Sequence, residues 1–354
     1  MGKCLVTKLN GAVDNSNLLK IGELRIKIAS APNPSKFTQG MDLHFTEPTE
    51  VSIVGDGYFT DENLSANYGK IKTINSERFF ISNGNYDLSI KNKYKVSLLS
   101  SVNRNVNGNN IGNYKSINID ELKYSNSLTW IDAFNPEGDI SAFKNALELV
   151  FVGFSSTNVT GDISAFSNNT ALTNLYLNNT NVTGDISAFS NNTALTAIKV
   201  NNTNITGDIM AFKNMTKLNV LNVNYTSVYG DIGAFRNCNL SIINISNVGN
   251  LTGDFAKLPA KCYYIALAEN ASKNVFNWTS RDPSEYITTW SGYAKVTNVD
   301  DMLIGMAKCT AHPDIATFPT WQKTINIVGT RTSASDAAVQ TLQSKGYTVS
   351  VTTA

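Results

Sequence analysis

A chain of 354 residues, 42% of them hydrophobic, is long enough for two or three structural units and can bury substantial cores. Its 29 basic and 28 acidic side chains nearly cancel, which excludes a whole-protein field that would steer it to nucleic acid or to an anionic membrane. No stretch approaches the ~18 apolar residues of a membrane helix, so membrane insertion is not expected.

The opening Met1-Gly-Lys-Cys-Leu-Val has no long apolar run after it, so no secretory leader is expected. Val6 stands where a myristoylation signal needs Ser or Thr. From Cys4 to about Ser101 the apolar residues have period two: Leu24, Ile26 and Ile28 alternate with Arg25 and Lys27, and Val96 and Leu98 bracket Ser97. Asn83-Gly84, between Phe79-Phe80-Ile81 and Tyr86 to Ile90, has the form of a tight hairpin turn. These features predict an antiparallel β-sandwich or small barrel over 1–105. The run Asn103 to Asn113 is mostly Asn and Gly with almost nothing to bury, and it places a linker at 106–116.

Beyond it the pair Gly-Asp recurs at Gly138-Asp139, Gly161-Asp162, Gly184-Asp185, Gly207-Asp208, Gly230-Asp231 and Gly253-Asp254, each 23 residues after the last. Self-similarity at such a period predicts a solenoid, here 117–271, with 117–137 as an irregular first rung that is two residues short. One rung reads Leu172-Thr-Asn-Leu175-Tyr-Leu177-Asn-Asn-Thr180-Asn-Val182-Thr-Gly184-Asp-Ile186-Ser-Ala-Phe189, which points six apolar side chains inward.

That frame resembles a leucine-rich repeat. Its 23-residue step, together with Ile232-Gly-Ala-Phe-Arg-Asn-Cys238, resembles the bacterial surface-antigen (BspA-like) class, and Thr-Gly-Asp-Ile resembles a section of plant-type repeats. The resemblance implies one parallel sheet on the concave side, with short 3₁₀ turns and helices on the convex side. It departs from the family where an asparagine ladder is usual: Thr157, Thr180, Thr203 and Thr226 stand there, and a threonine ladder is expected instead.

After Asp254 the step loosens. A helix around Met302 to Met306, capped by Asn298 or Asp300, a strand at Ile325 and Ile327, a helix from Ser333 or Ser335 that stops at Gly346, and a last strand at Tyr347 to Val351 make α/β capping rungs over 272–354. The fold class is therefore β-rich, α+β.

Candidate chemistry is sparse. Asp162, Asp185 and Asp208 would lie in a row about 4.8 Å apart, but Ca²⁺ needs six to eight oxygens and each rung offers one carboxylate, so N-capping is the expected role. The histidines, His44 and His312, lie in different units, and no triad, acid/base pair or phosphate loop is visible. The four cysteines, Cys4, Cys238, Cys262 and Cys309, read as free thiols, a Cys238–Cys262 disulfide being the alternative. The Asn-x-Thr/Ser sequons, Asn158, Asn181, Asn204 and Asn224 among them, read as unmodified by-products of the repeat. No enzyme activity, cofactor or metal is expected.

What remains is a surface. On strands whose Leu175 and equivalents face inward, the outward residues form two columns, and the candidate ligand-binding residues are Phe151, Asn174, Tyr176, Lys199, Asn222 and Asn244. This mix of aromatic, amide and base suits contact with a glycan or a protein. Six rungs at ~4.8 Å and strands of three to five residues give roughly 300–500 Å², below the ~800 Å² per partner of a standard interface. Weak, multicopy binding follows.

The opening Met-Gly-Lys-Cys-Leu-Val-Thr-Lys-Leu and the closing segment from Arg331 also resemble phage- or prophage-encoded leucine-rich repeat proteins of gut Bacteroidales. That resemblance implies a virion protein assembled in the host cytoplasm, a head fibre, tail fibre or capsid decoration. Its N-terminal domain would dock on other virion proteins, and its repeats would meet a host surface glycan or protein, as a homo-oligomer or in many copies. A bacterial surface or secreted adhesin and a cytoplasmic scaffold are the alternatives.

Overall fold

The computed structural model describes residues 117–123, 125–132, 136–267, 274–292 and 294–353, the side chains of 117 and 121 apart, and before them the backbone of six strands. The 106–116 linker and the Asn83-Gly84 turn lie outside the described residues, as do residues 133–135 of the short first rung, residues 268–273 at the expected end of the solenoid, and the side chain of His44.

The six strands are β1 (Glu23–Ile28), β2 (Phe37–Gly55), β3 (Tyr58–Phe59), β4 (Ile71–Ser82), β5 (Tyr86–Lys91) and β6 (Val96–Asn105). They pair antiparallel with one another, the arrangement in which half-buried alternating strands are common. β4 and β5 do not form the expected hairpin with one another: both pair with β2, β4 also with β3, and β5 also with β1.

Next come β7 (Ile117–Asn118), β8 (Trp130–Asp132), β9 (Pro136–Asp139), β10 (Phe151–Gly153), β11 (Asn158–Asp162), β12 (Asn174–Tyr176), β13 (Asn181–Asp185), β14 (Ala197–Lys199) and β15 (Asn204–Asp208). The series continues with β16 (Val220–Asn222), β17 (Ser227–Asp231), β18 (Ile242–Asn244), β19 (Leu251–Asp254), β20 (Tyr264–Ala266), β21 (Val275–Asn277), β22 (Thr289–Ser291) and β23 (Ala294–Val296). From β8 to β22 the even-numbered strands form one parallel array. The odd-numbered strands from β7 to β23 form a second parallel sheet. The repeat resemblance implies a single parallel sheet, and the structure corrects this to two. The signal of the second was present in Asn-Val-Thr and Asn-Ile-Thr, whose central residue is buried between two exposed ones, the period-two mark of a short strand.

Each rung closes in the same way. The glycine of every Gly-Asp pair has positive φ, between 111° and 129°. The aspartate after it caps a 3₁₀ turn: Oδ1 of Asp162 accepts the Ser164 amide at 2.8 Å, and Asp185 does the same for Ser187. The apolar frame then fills the space between the sheets. Leu172, Leu175, Leu177, Val182, Ile186 and Phe189 are all fully buried, each worth about 1.5–3 kcal/mol on transfer from water.

The ladder positions differ from expectation. Thr157, Thr180, Thr203 and Thr226 do not bridge rungs: each hydroxyl donates to a carbonyl three residues earlier in its own rung, as Thr180 does to Leu177 at 2.6 Å. A buried inter-rung ladder is made by Asn169 and Asn192, behind the 3₁₀ turns. Asn192 Nδ2 donates to Phe166 O at 3.0 Å and to Asn169 O at 2.8 Å, and Asn169 Nδ2 donates in the same way to Phe143 O and Ala146 O. Cys238 continues the position with its thiol on Phe212 O. Position rather than side-chain type decides this, since the Thr173 and Thr196 hydroxyls do cross to the preceding rung, on Val150 O and Thr173 O, each at 3.1 Å.

At the far end the parallel pairing continues through β24 (Thr324–Val328) and β25 (Thr348–Thr352), with α1 (Val299–Lys308) and α2 (Asp336–Ser344) between strands. Neither Asn298 nor Ser335 caps its helix through the side chain. Asn298 instead exchanges two hydrogen bonds with the Trp278 backbone. Asp300 holds the amide and hydroxyl of Thr332 together with the Ser335 hydroxyl. Gly346, at φ 92°, ends α2, and the Tyr347 amide returns to Leu342 O.

The first array does not begin at β8. β6 lies parallel to β8, with Leu98 opposite Trp130 and Ser100 opposite Asp132, so the antiparallel strands and the repeat strands share one 14-stranded sheet.

Candidate functional site

In a three-residue strand whose middle side chain is buried, the first and third side chains emerge on the opposite face. Parallel pairing without slip then lines up equivalents. One lane runs Phe151, Asn174, Ala197 and Val220, and the other Gly153, Tyr176, Lys199 and Asn222. Asn222 pairs with Asn244, so the one-residue slip in sequence is absorbed before β18. All six sequence-predicted residues thus fall on one face, each partly exposed.

The two ends of this face differ. Trp130, which is not among the sequence-predicted residues, stacks on Phe151 with centroids 3.9 Å apart, and Phe151 meets Tyr176 edge-on at 5.4 Å. The signal was its place before Ile131, matching Phe151 before Val152, but the short first rung obscured the register. Lys199 Nζ lies 4.8 Å from the Tyr176 ring centroid, a cation–π contact worth about 0.5–1 kcal/mol at an exposed site. Asn174 Nδ2 donates to the Tyr176 hydroxyl at 3.1 Å. Further along, Val220 and Ile242 are 38% and 40% exposed in the first lane, beside Asn222 and Asn244 in the second. Loss of solvent around Asp132, at the start of the second lane, pushes its carboxyl above the usual range.

The remaining candidates have structural roles. The aspartates of the Gly-Asp column act as caps, each through Oδ1 on the amide two residues on. Among the described residues no group of three or more His, Cys, Asp or Glu is gathered for a metal. Cys238, Cys262 and Cys309 are free and buried, and burial pushes the Cys238 and Cys262 thiols up to about 12. His312 packs among Tyr263, Tyr286 and Phe318. Arg281, whose side chain is 1% exposed, lies 3.2 Å from Glu285, which also takes Arg236. No described helix is long and apolar enough to cross a membrane.

Residues 139–256 match the family model of the BspA type leucine rich repeat region in six copies. No curated protein matches the chain. Among solved structures the chain is similar to an internalin of Listeria monocytogenes, at 17% identity over 65% of this chain and 77% of that one, with a TM-score of 0.37. It is also similar to the Arabidopsis receptor kinase HAESA, solved with a peptide hormone and a co-receptor, at 18% identity over 50% of this chain with a TM-score of 0.38. The similarity spans 32% of the receptor kinase chain. A third similar structure is a leucine-rich repeat protein of Leptospira interrogans, at 10% identity, 65% and 68% coverage and a TM-score of 0.34.

Proposed function

We infer that this chain, whose residues 139–256 are BspA-type leucine-rich repeats, is a non-enzymatic binding protein that meets a protein partner through the two outward lanes of its first sheet. A leucine-rich repeat region is suited to such binding. The observation that carries the reading is the contrast within each rung: the inward positions repeat as Leu, Ile, Val and Phe, while their neighbours on the same strands change from Phe151 and Tyr176 to Lys199, Val220 and Asn222. A frame held constant for packing with a face free to vary is what a recognition surface requires. The small area argues for weak single contacts made strong by many copies.

The finer proposal is a virion structural and adhesion protein, a head fibre, tail fibre or capsid decoration, whose N-terminal strands, closed as a sandwich or barrel, dock on the particle. The α/β rungs at the other end would act as a cap over the open core. The resemblance at both termini supports this setting; a bacterial cell-surface adhesin fits the same surface. Mass spectrometry and imaging of purified particles test it: the protein is expected in them at stoichiometric copy number, and its absence from virions with presence on cells would transfer the proposal to the bacterial surface.

A further inference from the structure

The amides of the second lane have their orientations fixed from behind. A backbone N–H can only donate, so the oxygen of Asn222 must be the atom that faces the Asn224 amide, 3.2 Å away. By the same logic the oxygen of Asn224 faces the Ser246 amide at 2.8 Å, which leaves Asn224 Nδ2 to donate to Asn244 Oδ1 at 2.8 Å. Asn222 and Asn244 therefore each have an oxygen engaged inside the network. Among the described residues no acceptor takes their Nδ2 hydrogens.

The next residue up the lane is Lys199, directly opposite Asn222. Its ammonium is held against the Tyr176 ring, and among the described residues no carboxylate pairs with it. Lys199, Asn222 and Asn244 thus stand on three adjacent strands, spanning about 10 Å, as a row of donors whose acceptor atoms are absent or engaged. Such a row can donate together to negatively charged oxygen, in charge-assisted hydrogen bonds stronger than those between neutral groups. On the same two strands as the amides, the exposed Val220 and Ile242 offer apolar contact beside the donors.

We propose that Lys199, Asn222 and Asn244 form a carboxylate-recognition row for an acidic–aliphatic segment of a partner protein, its Asp or Glu side chains on the donors and its aliphatic side chains on Val220 and Ile242. This rests on the reading of the first-sheet face as the binding face. The aliphatic pair favours a peptide over an acidic sugar, which would leave Val220 and Ile242 uncovered.

The probe is the capped peptide Ac-Leu-Glu-Leu-Glu-NH2, titrated into the full chain while NMR follows the side-chain NH2 groups of Asn222 and Asn244. Ac-Leu-Gln-Leu-Gln-NH2 and methyl glucuronide serve as comparators. Saturable shifts are expected with the glutamate peptide and not with its glutamine counterpart. Asn222→Asp keeps the oxygen that the Asn224 amide needs but turns the outward donor into an acceptor, so it should fold normally and weaken binding about tenfold or more. Lys199→Gln should weaken it severalfold.

Equal binding of the two peptides, indifference to Asn222→Asp, or stronger shifts with glucuronide than with peptide would each overturn the proposal. Partner capture that survives Asn222→Asp and Lys199→Gln, with no peptide shifts, would remove the row and leave the binding face standing. Loss of capture in Tyr176→Ala alone, with the peptide shifts intact, would place the partner elsewhere on the face and overturn the row as its site.

Discussion

A β-carbon built on Gly184 would stand 2.5 Å from Oδ1 of Asp162 on the preceding rung, so one glycine and one aspartate occupy a single space. The glycine also has φ at 118°, where other residues are rare. The aspartate is close because it is capping the Ser164 amide directly below. The Gly-Asp pair is therefore a joint between rungs, the glycine of one making room for the cap of the last.

Gly184→Ala combines backbone strain with a steric clash and should cost about 2–4 kcal/mol in urea unfolding. Asp162→Ala alone should cost about 1 kcal/mol, the loss of a cap. Because the second change empties the space that the first invades, the double variant should be less destabilised than the sum, and a strictly additive cycle would separate the two residues.

Asn192→Ala strips the donor from Phe166 O and Asn169 O in the buried ladder. A loss of about 1–3 kcal/mol is expected by chemical denaturation. Thr180→Val removes a bond confined to its own rung and fills the space with a methyl group, so it should cost less. If the threonine variant were the worse of the two, the ladder would be misassigned.

Leu175 and Tyr176 are chain neighbours on opposite faces of β12. Leu175→Ala should cost about 2–5 kcal/mol and loosen adjacent rungs. Tyr176→Ala combined with Lys199→Ala removes the contacts with Phe151 and Asn174 and should lower the melting temperature by only about 2–4 °C, while lowering adsorption of the displayed protein to host cells. Adsorption equal to that of the unaltered protein would discard these two residues.

The buried thiols give a pH prediction. Cys238 and Cys262 are pushed up to about 12 from an ordinary 9. A raised acid favours its protonated form in the fold, so the stability they contribute is complete below about 9 and fades as pH climbs toward 12. Iodoacetamide at pH 8 should leave both unlabelled in the folded protein and react fully in urea. Rapid labelling without denaturant would mean that the rungs open locally.

The sequence by itself determined the rung length, the inward frame, the role of the Gly-Asp pair as a cap and the residues that share the outward face. A 23-residue repeat permits this, since each rung's neighbour in space is its own copy and a position in one line predicts its companions. Tertiary structure decided what depends on reach between non-identical atoms. Asn169 and Asn192 span rungs while Thr157 and Thr180 bond within their own, because each threonine hydroxyl lies beside the carbonyl three residues before it and each carboxamide faces two carbonyls of the preceding rung or turn. The stack of Trp130 on Phe151 and the continuity of β6 with β8 depend on how the short first rung sits. The outward amides of Asn222 and Asn244 depend on which backbone amides lie behind them. Spacing along the chain specifies which side chains become neighbours; only the packed structure orients their donors and acceptors.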